Sequence, residues 1–280
     1  MKFRKLTIIV ISLGVVVAGV SSCLTGRMND TDMAAYFAGG RYLPKRQFYQ
    51  TPNRKMHYVE VGNETLPPVL FVHGSPGSWD NFKAFLKDTL LLNRFRLLAI
   101  DRPGFGFSAQ NGAATTLKAQ AEALLPILKQ QRQPVVLVGH SYGGSVIVRA
   151  AIDYPQYVKA LVIVAGSVDA DLEPSNWYRY PLHYPPLRWL IPSFFRSSND
   201  ELLPLRAELT KMAPNWSKIR CPAVIIQGKK DVFVPADNAK FAAKKLKHVR
   251  VTTIFKNDMN HFVPWSDPNL IVDGILRAAQ

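Results

Sequence analysis

The sequence predicts an α/β fold with a mostly parallel central sheet and helices on both faces. From about residue 54, short apolar runs alternate with segments whose apolar residues recur at helical spacing. That alternation is typical of repeated βαβ units. The chemically distinctive side chains each follow an apolar run within a few residues, which places them at the carboxyl ends of parallel strands.

Seven apolar runs predict the strands of the sheet. In chain order they are KMHYVEVG, PPVLFVHG, FRLLAIDRPG, PVVLVGHS, VKALVIVAG, PAVIIQGKKD and VRVTTIFKND. Five segments between and after them predict helices: WDNFKAFLKDTLL, TLKAQAEALLPILKQQ, YGGSVIVRAAIDY, ADNAKFAAKKLK and PNLIVDGILRAA. Runs this short, bounded by Gly and Pro, favour buried parallel strands over helices.

Composition sets the size of the core and limits the partners. The chain has 280 residues, of which 48% are hydrophobic, enough for one large α/β domain or two smaller ones. Its formal net charge is +15, and the basic residues are spread along the chain. Because the motifs that stack on bases or read grooves are missing, we expect no nucleic-acid partner. A basic surface near an anionic membrane stays open.

Residues 1–22 have the pattern of a secretory signal peptide. Lys2, Arg4 and Lys5 precede an apolar stretch over 6–20, shorter than the roughly 20 residues of a membrane span. Val20-Ser21-Ser22-Cys23 resembles a bacterial lipobox, which implies cleavage before Cys23 and lipidation of its thiol. An ordinary cleaved signal and an uncleaved anchor are the alternatives.

The lipobox resemblance implies a location in the bacterial cell envelope, facing the periplasm or the exterior, with a membrane contact through the lipid. Leu24, directly after Cys23, is compatible with sorting of such a lipoprotein to the outer membrane. Residues 23–44 are polar and irregular, so we interpret them as the lipidated N-terminus and a tether, in which DTDMAAYF can form a short helix.

Ser141 is the predicted nucleophile. Gly139-His140-Ser141-Tyr142-Gly143 matches G-x-S-x-G, and it stands between the apolar run PVVLV and the helical segment SVIVRAA. A strand that turns directly into a helix crowds the backbone around the serine, and glycines relieve that crowding. The N–H of Tyr142 then lies at a helix N-terminus, where it stabilises a developing oxyanion.

A serine hydroxyl needs a general base, and the base needs a carboxylate. His261, directly after the last strand, is the predicted base. Asp231, which follows the penultimate strand, is the favoured carboxylate, with Asp169 as its rival one strand earlier. The order Ser, Asp, His is that of α/β-hydrolases.

From about residue 45 to its end, the chain resembles the α/β-hydrolase superfamily. The resemblance rests on HGSPGS, DRPGFGFS, GHSYGG, GKKDVFVP and NHF, in that order. It implies that the N–H of Ser75 is the second oxyanion donor and that residues 169–215 form a small helical cap inserted after the sixth strand. The fold core is then residues 45–168 and 216–280. DRPGFG resembles the epoxide-hydrolase and haloalkane-dehalogenase branches, which use aspartate at the elbow where this chain has Ser141.

The insert is rich in aromatic residues, and they have three interpretations. Trp177, Tyr184 and Trp189, with Phe262 beyond the insert, are the predicted pocket walls for a carbon-rich substrate. In the second interpretation, the same aromatic residues pack the cap onto the sheet. In the third, the segment YRYPLHYPPLRWLIPSFFR contacts a membrane surface.

These observations predict a lipid-anchored serine hydrolase, a carboxylesterase or lipase-like enzyme acting on a small-molecule ester through an acyl-enzyme. The alternatives are a C–C bond hydrolase, a lactonase and a cofactor-free perhydrolase or haloperoxidase. A binding protein on a retained hydrolase fold is the non-enzymatic alternative. The predicted chemistry needs no metal and no organic cofactor, and the sequence predicts no particular oligomeric state.

Overall fold

A computed structural model of the chain describes residues 27–174 and 177–280. The predicted signal peptide and Cys23 lie outside this range. Within the described ranges, none of the helices combines the length and the apolar character that crossing a bilayer requires.

A mostly parallel sheet forms the centre of the molecule, as predicted, and it has eight strands, one more than the sequence predicted. Its strands are β1 Lys45–Gln50, β2 Lys55–Val61, β3 Pro68–Val72, β4 Arg96–Asp101, β5 Val135–His140, β6 Val158–Val164, β7 Ala223–Gly228 and β8 Val251–Lys256. Their order across the sheet is β1-β2-β4-β3-β5-β6-β7-β8. Strand β2 pairs antiparallel with β1 and with β4. The six strands from β3 to β8 all run parallel to one another. The parallel strands therefore all end at one edge, called the carboxyl edge below.

Helices cover both faces of the sheet. They are α1 Asp30–Phe37, α2 Thr89–Leu92, α3 Leu117–Lys129, α4 Tyr142–Asp153, α5 Leu187–Leu190, α6 Ser193–Leu202, α7 Leu205–Met212, α8 Asp237–Lys245, α9 Val263–Ser266 and α10 Pro268–Ala278. One apolar cluster joins the sheet to α3, α4, α7 and α8, and a second joins the opposite face to α1, α2 and α10. The central strands are buried on both faces, which explains their continuous apolar runs.

Two elements differ from the sequence prediction. Strand β1 was not predicted because KRQFYQ is polar, as suits an edge strand that is mostly open to solvent. The helix predicted over WDNFKAFLKDTLL is two short 3₁₀ turns followed by α2. Asp88 ends the preceding turn and caps the N-terminus of α2, because its side chain accepts a hydrogen bond from the N–H of Leu91.

The insert after β6 is a small helical unit, as predicted. Between β6 and β7, the described residues form α5, α6, α7 and four short 3₁₀ segments. The contacts of the insert with the core come mainly from α7, whose Leu205, Leu209 and Met212 are buried in the cluster that also holds α4.

The segment before β1 packs against the core, which corrects the description of residues 23–44 as a tether. DTDMAAYF forms α1 as expected, with Asn29 accepting a hydrogen bond from Asp32 at its start. Phe37 at its end is fully buried and stacks on Trp79, with ring centroids 6.5 Å apart. One buried aromatic side chain therefore fixes this segment to the face formed by α2 and α10.

Replacing Phe37 by alanine tests this docking. We expect Phe37→Ala to lower the free energy of unfolding by about 3 kcal/mol, because a buried aromatic ring is lost and a cavity remains. Leu43, in the same segment, is 68% exposed, so Leu43→Ala should change the free energy of unfolding by less than about 0.5 kcal/mol. Urea unfolding measures both, and equal stability of the two variants would mean that the segment does not pack on the core.

Candidate active site

Ser141 occupies a strained turn between β5 and α4. It is neither strand nor helix, with φ 55° and ψ −123°, a backbone region that non-glycine residues rarely occupy. A Cβ atom on Gly139 would lie 2.4 Å from the carbonyl oxygen of Gly143, and one on Gly143 would lie 2.2 Å from that of Val72. The two glycines of the motif are therefore sterically required, as the sequence predicted.

His261 and Asp231 form a hydrogen-bonded pair on two neighbouring loops. Asp231 follows β7, His261 follows β8, and Nδ1 of the histidine lies 2.8 Å from Oδ2 of the aspartate. The other carboxylate oxygen accepts the backbone N–H groups of Phe233 and Val234 at 2.9 and 2.8 Å. With Nδ1 bound to the carboxylate, Nε2 of His261 is free to act as the base.

The Asp231 carboxylate is held in its charged form. Burial raises the pKa of Asp231, but the hydrogen bonds from His261 and from the backbone of Val234 and Phe233 outweigh that effect and bring it below the usual value. The rival carboxylate, Asp169, instead accepts the N–H of Asp171 and starts a 3₁₀ turn. The structure thus brings Asp231, not Asp169, to His261.

His140, beside the nucleophile, contacts the predicted base His261 through its ring and one hydrogen bond. Its Nε2 lies 3.0 Å from the carbonyl oxygen of His261, and the two rings are 4.7 Å apart. Burial, together with repulsion from His261, lowers the pKa of His140 to about 3. A neutral ring whose Nε2–H donates to that carbonyl fits both observations.

Ser141 and His261 line one cavity of about 730 Å³, together with Ser75 and Tyr142. The remaining walls are mainly apolar; they include Pro76, Leu202, Leu205, Val232, Phe233, Phe262 and Trp265. A cavity with an apolar wall and a few convergent polar groups is typical of a small-molecule site.

The predicted pocket residues only partly line this cavity. Phe262 does, whereas Trp177, Tyr184 and Trp189 lie outside it and are 72, 62 and 71% exposed. The prediction for these three residues is wrong, because they lie in or beside short 3₁₀ turns and α5 that leave their rings open to solvent. The insert contributes Tyr178 and Leu202 to the cavity instead.

The loop after β3 lies directly against the nucleophile. A Cβ atom on Gly74 would come within 3.0 Å of Cβ of Ser141, tighter than an ordinary contact, so a side chain at Gly74 would push against the nucleophile turn. Ser75 follows, and both Ser75 and Tyr142 line the cavity beside Ser141. Tyr142 also starts α4, and its ring is buried 4.6 Å from the Arg102 guanidinium. The ring is thus occupied in the core, which leaves the backbone N–H as the polar group of Tyr142 that the predicted chemistry would use.

Two buried charged residues that sequence analysis did not identify hold this loop. Arg102 donates from Nε to the carbonyl oxygen of His73 at 2.9 Å and from a terminal nitrogen to that of Gly74 at 2.8 Å. Its guanidinium also forms a two-pronged ion pair with Glu201 of α6, both bonds 2.7 Å long. Both side chains are completely buried.

Glu201 therefore connects the insert to the loop after β3. Gln120 donates to its carboxylate at 2.9 Å, and the Ser75 hydroxyl bonds to Ser198, one turn earlier on α6, at 2.9 Å. Burial raises the pKa of Glu201, and the charge and hydrogen bonds of Arg102 oppose that shift. Arg102 belongs to the DRPG turn, but Glu201 lies 99 residues away and carries no local sequence signal.

His73 supports the same loop through two hydrogen bonds. Its Nε2 accepts the backbone N–H of Arg102 at 3.0 Å, and its Nδ1 lies 2.7 Å from the carbonyl oxygen of Gly74. Burial and the nearby Arg102 charge lower the pKa of His73 well below its usual value. Among the described residues, no group of three or more His, Cys, Asp or Glu side chains is arranged to hold a metal ion.

Comparison with known proteins identifies the family. Residues 69–273 match the model of the alpha/beta hydrolase family. The chain belongs to this family. It is 35% identical over 105 residues to the sn-1-specific diacylglycerol lipase ABHD11 of Mus musculus, covering 37% of this chain and 34% of that protein.

A second curated relative and a solved structure extend the comparison. The 2-hydroxy-6-oxononadienedioate/2-hydroxy-6-oxononatrienedioate hydrolase of a Pseudomonas species is 32% identical over 117 residues, 41% of each chain. The crystal structure of a membrane phospholipase A described as a bacterial virulence factor superposes with a TM-score of 0.65 at 20% identity, covering 99% of this chain and all of that one. The chain spans about a third of the length of the first curated relatives it matches.

The Arg102–Glu201 pair predicts a specific pattern of stability. Glu201→Leu should lower the free energy of unfolding by about 3–5 kcal/mol, because it leaves the Arg102 charge buried without a partner. The double variant Arg102→Met/Glu201→Leu removes both charges and should be more stable than Glu201→Leu alone.

Urea unfolding of the two variants measures this difference. Glu122→Leu is the matched control, since its pair with Lys118 is exposed, and it should change the free energy of unfolding by less than about 0.5 kcal/mol. Arg102→Met alone is measured as the second single variant. A double variant that loses as much stability as Glu201→Leu and Arg102→Met added together would contradict a coupled buried pair.

Proposed function

We propose that the protein is a serine hydrolase that cleaves carboxylic esters through an acyl-enzyme. The observation that carries the proposal is the convergence of Ser141 and the His261–Asp231 pair on one mainly apolar cavity. Ser141 at the elbow favours acyl transfer over the epoxide and halide chemistry of the branches that use aspartate there. The name of the mouse relative, a diacylglycerol lipase, agrees with an ester substrate.

The proposed reaction has two halves. His261 Nε2 takes the proton of Ser141 as its Oγ attacks the ester carbonyl, while Asp231 stabilises the imidazolium that forms. The N–H groups of Ser75 and Tyr142 bind the oxyanion, and protonated His261 then gives its proton to the leaving alcohol. Water then attacks the acyl-enzyme as His261 takes its proton, and protonated His261 gives that proton to the departing Oγ of Ser141, which releases the acid and the free serine.

We further propose that the protein is attached to the bacterial cell envelope through a lipid on Cys23. The sequence pattern of residues 1–23 supports this proposal. The described chain begins at Arg27, four residues after Cys23, and α1 packs on the core soon afterwards. A lipid on Cys23 would therefore hold the hydrolase core close to the membrane surface.

Hydrolysis of a p-nitrophenyl ester series of increasing acyl length tests the function. We expect turnover by the full chain and a loss in kcat of at least about 10⁴-fold in Ser141→Ala, because the nucleophile is gone. Ser193→Ala is the matched control, since Ser193 is exposed at the start of α6, and it should keep the wild-type rate.

Two outcomes would contradict the proposal. An unchanged rate in folded Ser141→Ala would exclude this nucleophile. A folded wild-type chain that hydrolyses none of the esters would instead favour C–C bond hydrolysis, the activity named for the Pseudomonas relative.

A further inference from the structure

The outer surface of the insert exposes an unusual amount of apolar surface. Six large side chains make up what we call the cap face: Trp177, Tyr180, Tyr184, Trp189, Leu190 and Phe195. Leu190 is 77% exposed, and each of the two tryptophans is more than 70% exposed. Large apolar side chains exposed this closely along one segment are typical of a surface that contacts a partner or a membrane.

The charges around the cap face favour an anionic partner. Residues 177–196 include three arginines and no aspartate or glutamate. Arg188 is paired with Asp200, while Arg179 and Arg196 have no carboxylate on the same stretch of chain. Trp and Tyr interleaved with Arg is the composition of surfaces that sit at the boundary between lipid headgroups and acyl chains.

The cap face continues into the mouth of the active-site cavity. Tyr178 and Arg179, between two cap-face residues, line the cavity. The lining residues Phe233, Phe262 and Trp265, which follow β7 and β8, are 59, 48 and 49% exposed. Exposed aromatic side chains from the insert and from the segments after β7 and β8 therefore line the cavity, so a bilayer that contacts these side chains would also meet the cavity.

The N-terminal chain leaves the described structure at the same edge of the sheet. Arg27 donates to the carbonyl oxygen of Gly106 at 3.4 Å, and its guanidinium lies 4.1 Å from the ring centroid of Phe107. Both partners follow β4 at the carboxyl edge, where Ser141 and His261 also lie. Cys23, four residues before Arg27, cannot be further than about 14 Å from it along an extended chain.

We propose that the carboxyl edge, with the cap face and the cavity mouth, docks onto an anionic bilayer, from which the cavity takes its ester substrate. Three observations carry the proposal: the exposed aromatic side chains, the arginines among them, and the exit of the N-terminal chain at this edge. The docking itself is independent of the chemistry, whereas the membrane source of the substrate rests on the proposed ester hydrolysis.

Fluorescence quenching by brominated lipids tests the docking. The full chain is reconstituted in phosphatidylcholine vesicles containing phosphatidylglycerol, with and without brominated acyl chains. We expect brominated lipid to quench the wild-type tryptophan fluorescence, and Trp177→Phe/Trp189→Phe to remove most of the quenched signal. Trp265, which is 49% exposed and lines the cavity, accounts for the quenching that the double variant keeps. Trp79 and Trp216 are buried in the core and should not be quenched. An unquenched wild type, or equal quenching in the double variant, would overturn the docking.

Activity with two kinds of substrate tests the source of the ester. Trp177→Ser/Trp189→Ser should hydrolyse a long-chain ester embedded in the vesicles about tenfold more slowly than wild type, because two interfacial anchors are lost. Its rate on a soluble short-chain ester should be unchanged, since neither tryptophan lines the cavity. Leu90→Ser, which removes an exposed leucine from α2, should leave both rates unchanged.

The outcomes separate the two proposals. Equal losses on both substrates, or no loss on either, would overturn the membrane source of the substrate. Quenching without turnover of any ester would leave the docking in place and reject the proposed ester hydrolysis. Association of two copies through the cap face, seen as a dimer that Trp177→Ser/Trp189→Ser dissociates, would overturn the bilayer as the occupant.

Discussion

The active site depends on the close contact between the turn at Ser141 and the end of β3. The carbonyl oxygen of Val72 occupies the space that a side chain on Gly143 would need. In the same way, Cβ of Ser141 lies 3.0 Å from where the first side-chain carbon of a residue replacing Gly74 would lie. The helix that presents the Tyr142 N–H and the loop that presents Ser75 are therefore packed against each other by backbone. The positive φ of Ser141 occurs between two glycines whose backbones are in close contact with their neighbours, and packing of this kind can hold a residue in a rarely occupied conformation.

A second constraint fixes the insert to this arrangement. The Arg102–Glu201 pair is removed from water, so its charges are stable only while both partners and their hydrogen bonds stay in place. Because Arg102 also binds the carbonyl oxygens of His73 and Gly74, displacement of α6 would disturb the loop beside the nucleophile. The inner side of the insert is thus fixed by buried polar contacts, while its outer side exposes aromatic rings.

The sequence predicts the parts of the site that local patterns encode. Ser141 follows from the spacing of its glycines between a strand and a helix, and His261 and Asp231 follow from their places after the last two strands. Glu201 was not predictable in this way, because its partner Arg102 is brought to it only by the fold. The three exposed aromatics of the insert were assigned to the pocket wrongly, since short 3₁₀ turns have no apolar period that reveals their inner side. Phe37 belongs to a helix of only eight residues, too short for a helical period to show which side is buried, and it packs on Trp79, which is distant in the sequence.

The central claim is that Ser141 is a nucleophile activated by His261. Reaction with a fluorophosphonate, which transfers its phosphonyl group to an activated serine as fluoride leaves, followed by peptide mass spectrometry, tests it most directly. The account predicts one phosphonyl group per chain, on the peptide that contains Ser141, with no adduct in Ser141→Ala and much slower labelling in His261→Ala. A folded wild-type chain that takes up no label, or takes it up on another residue, would contradict the account.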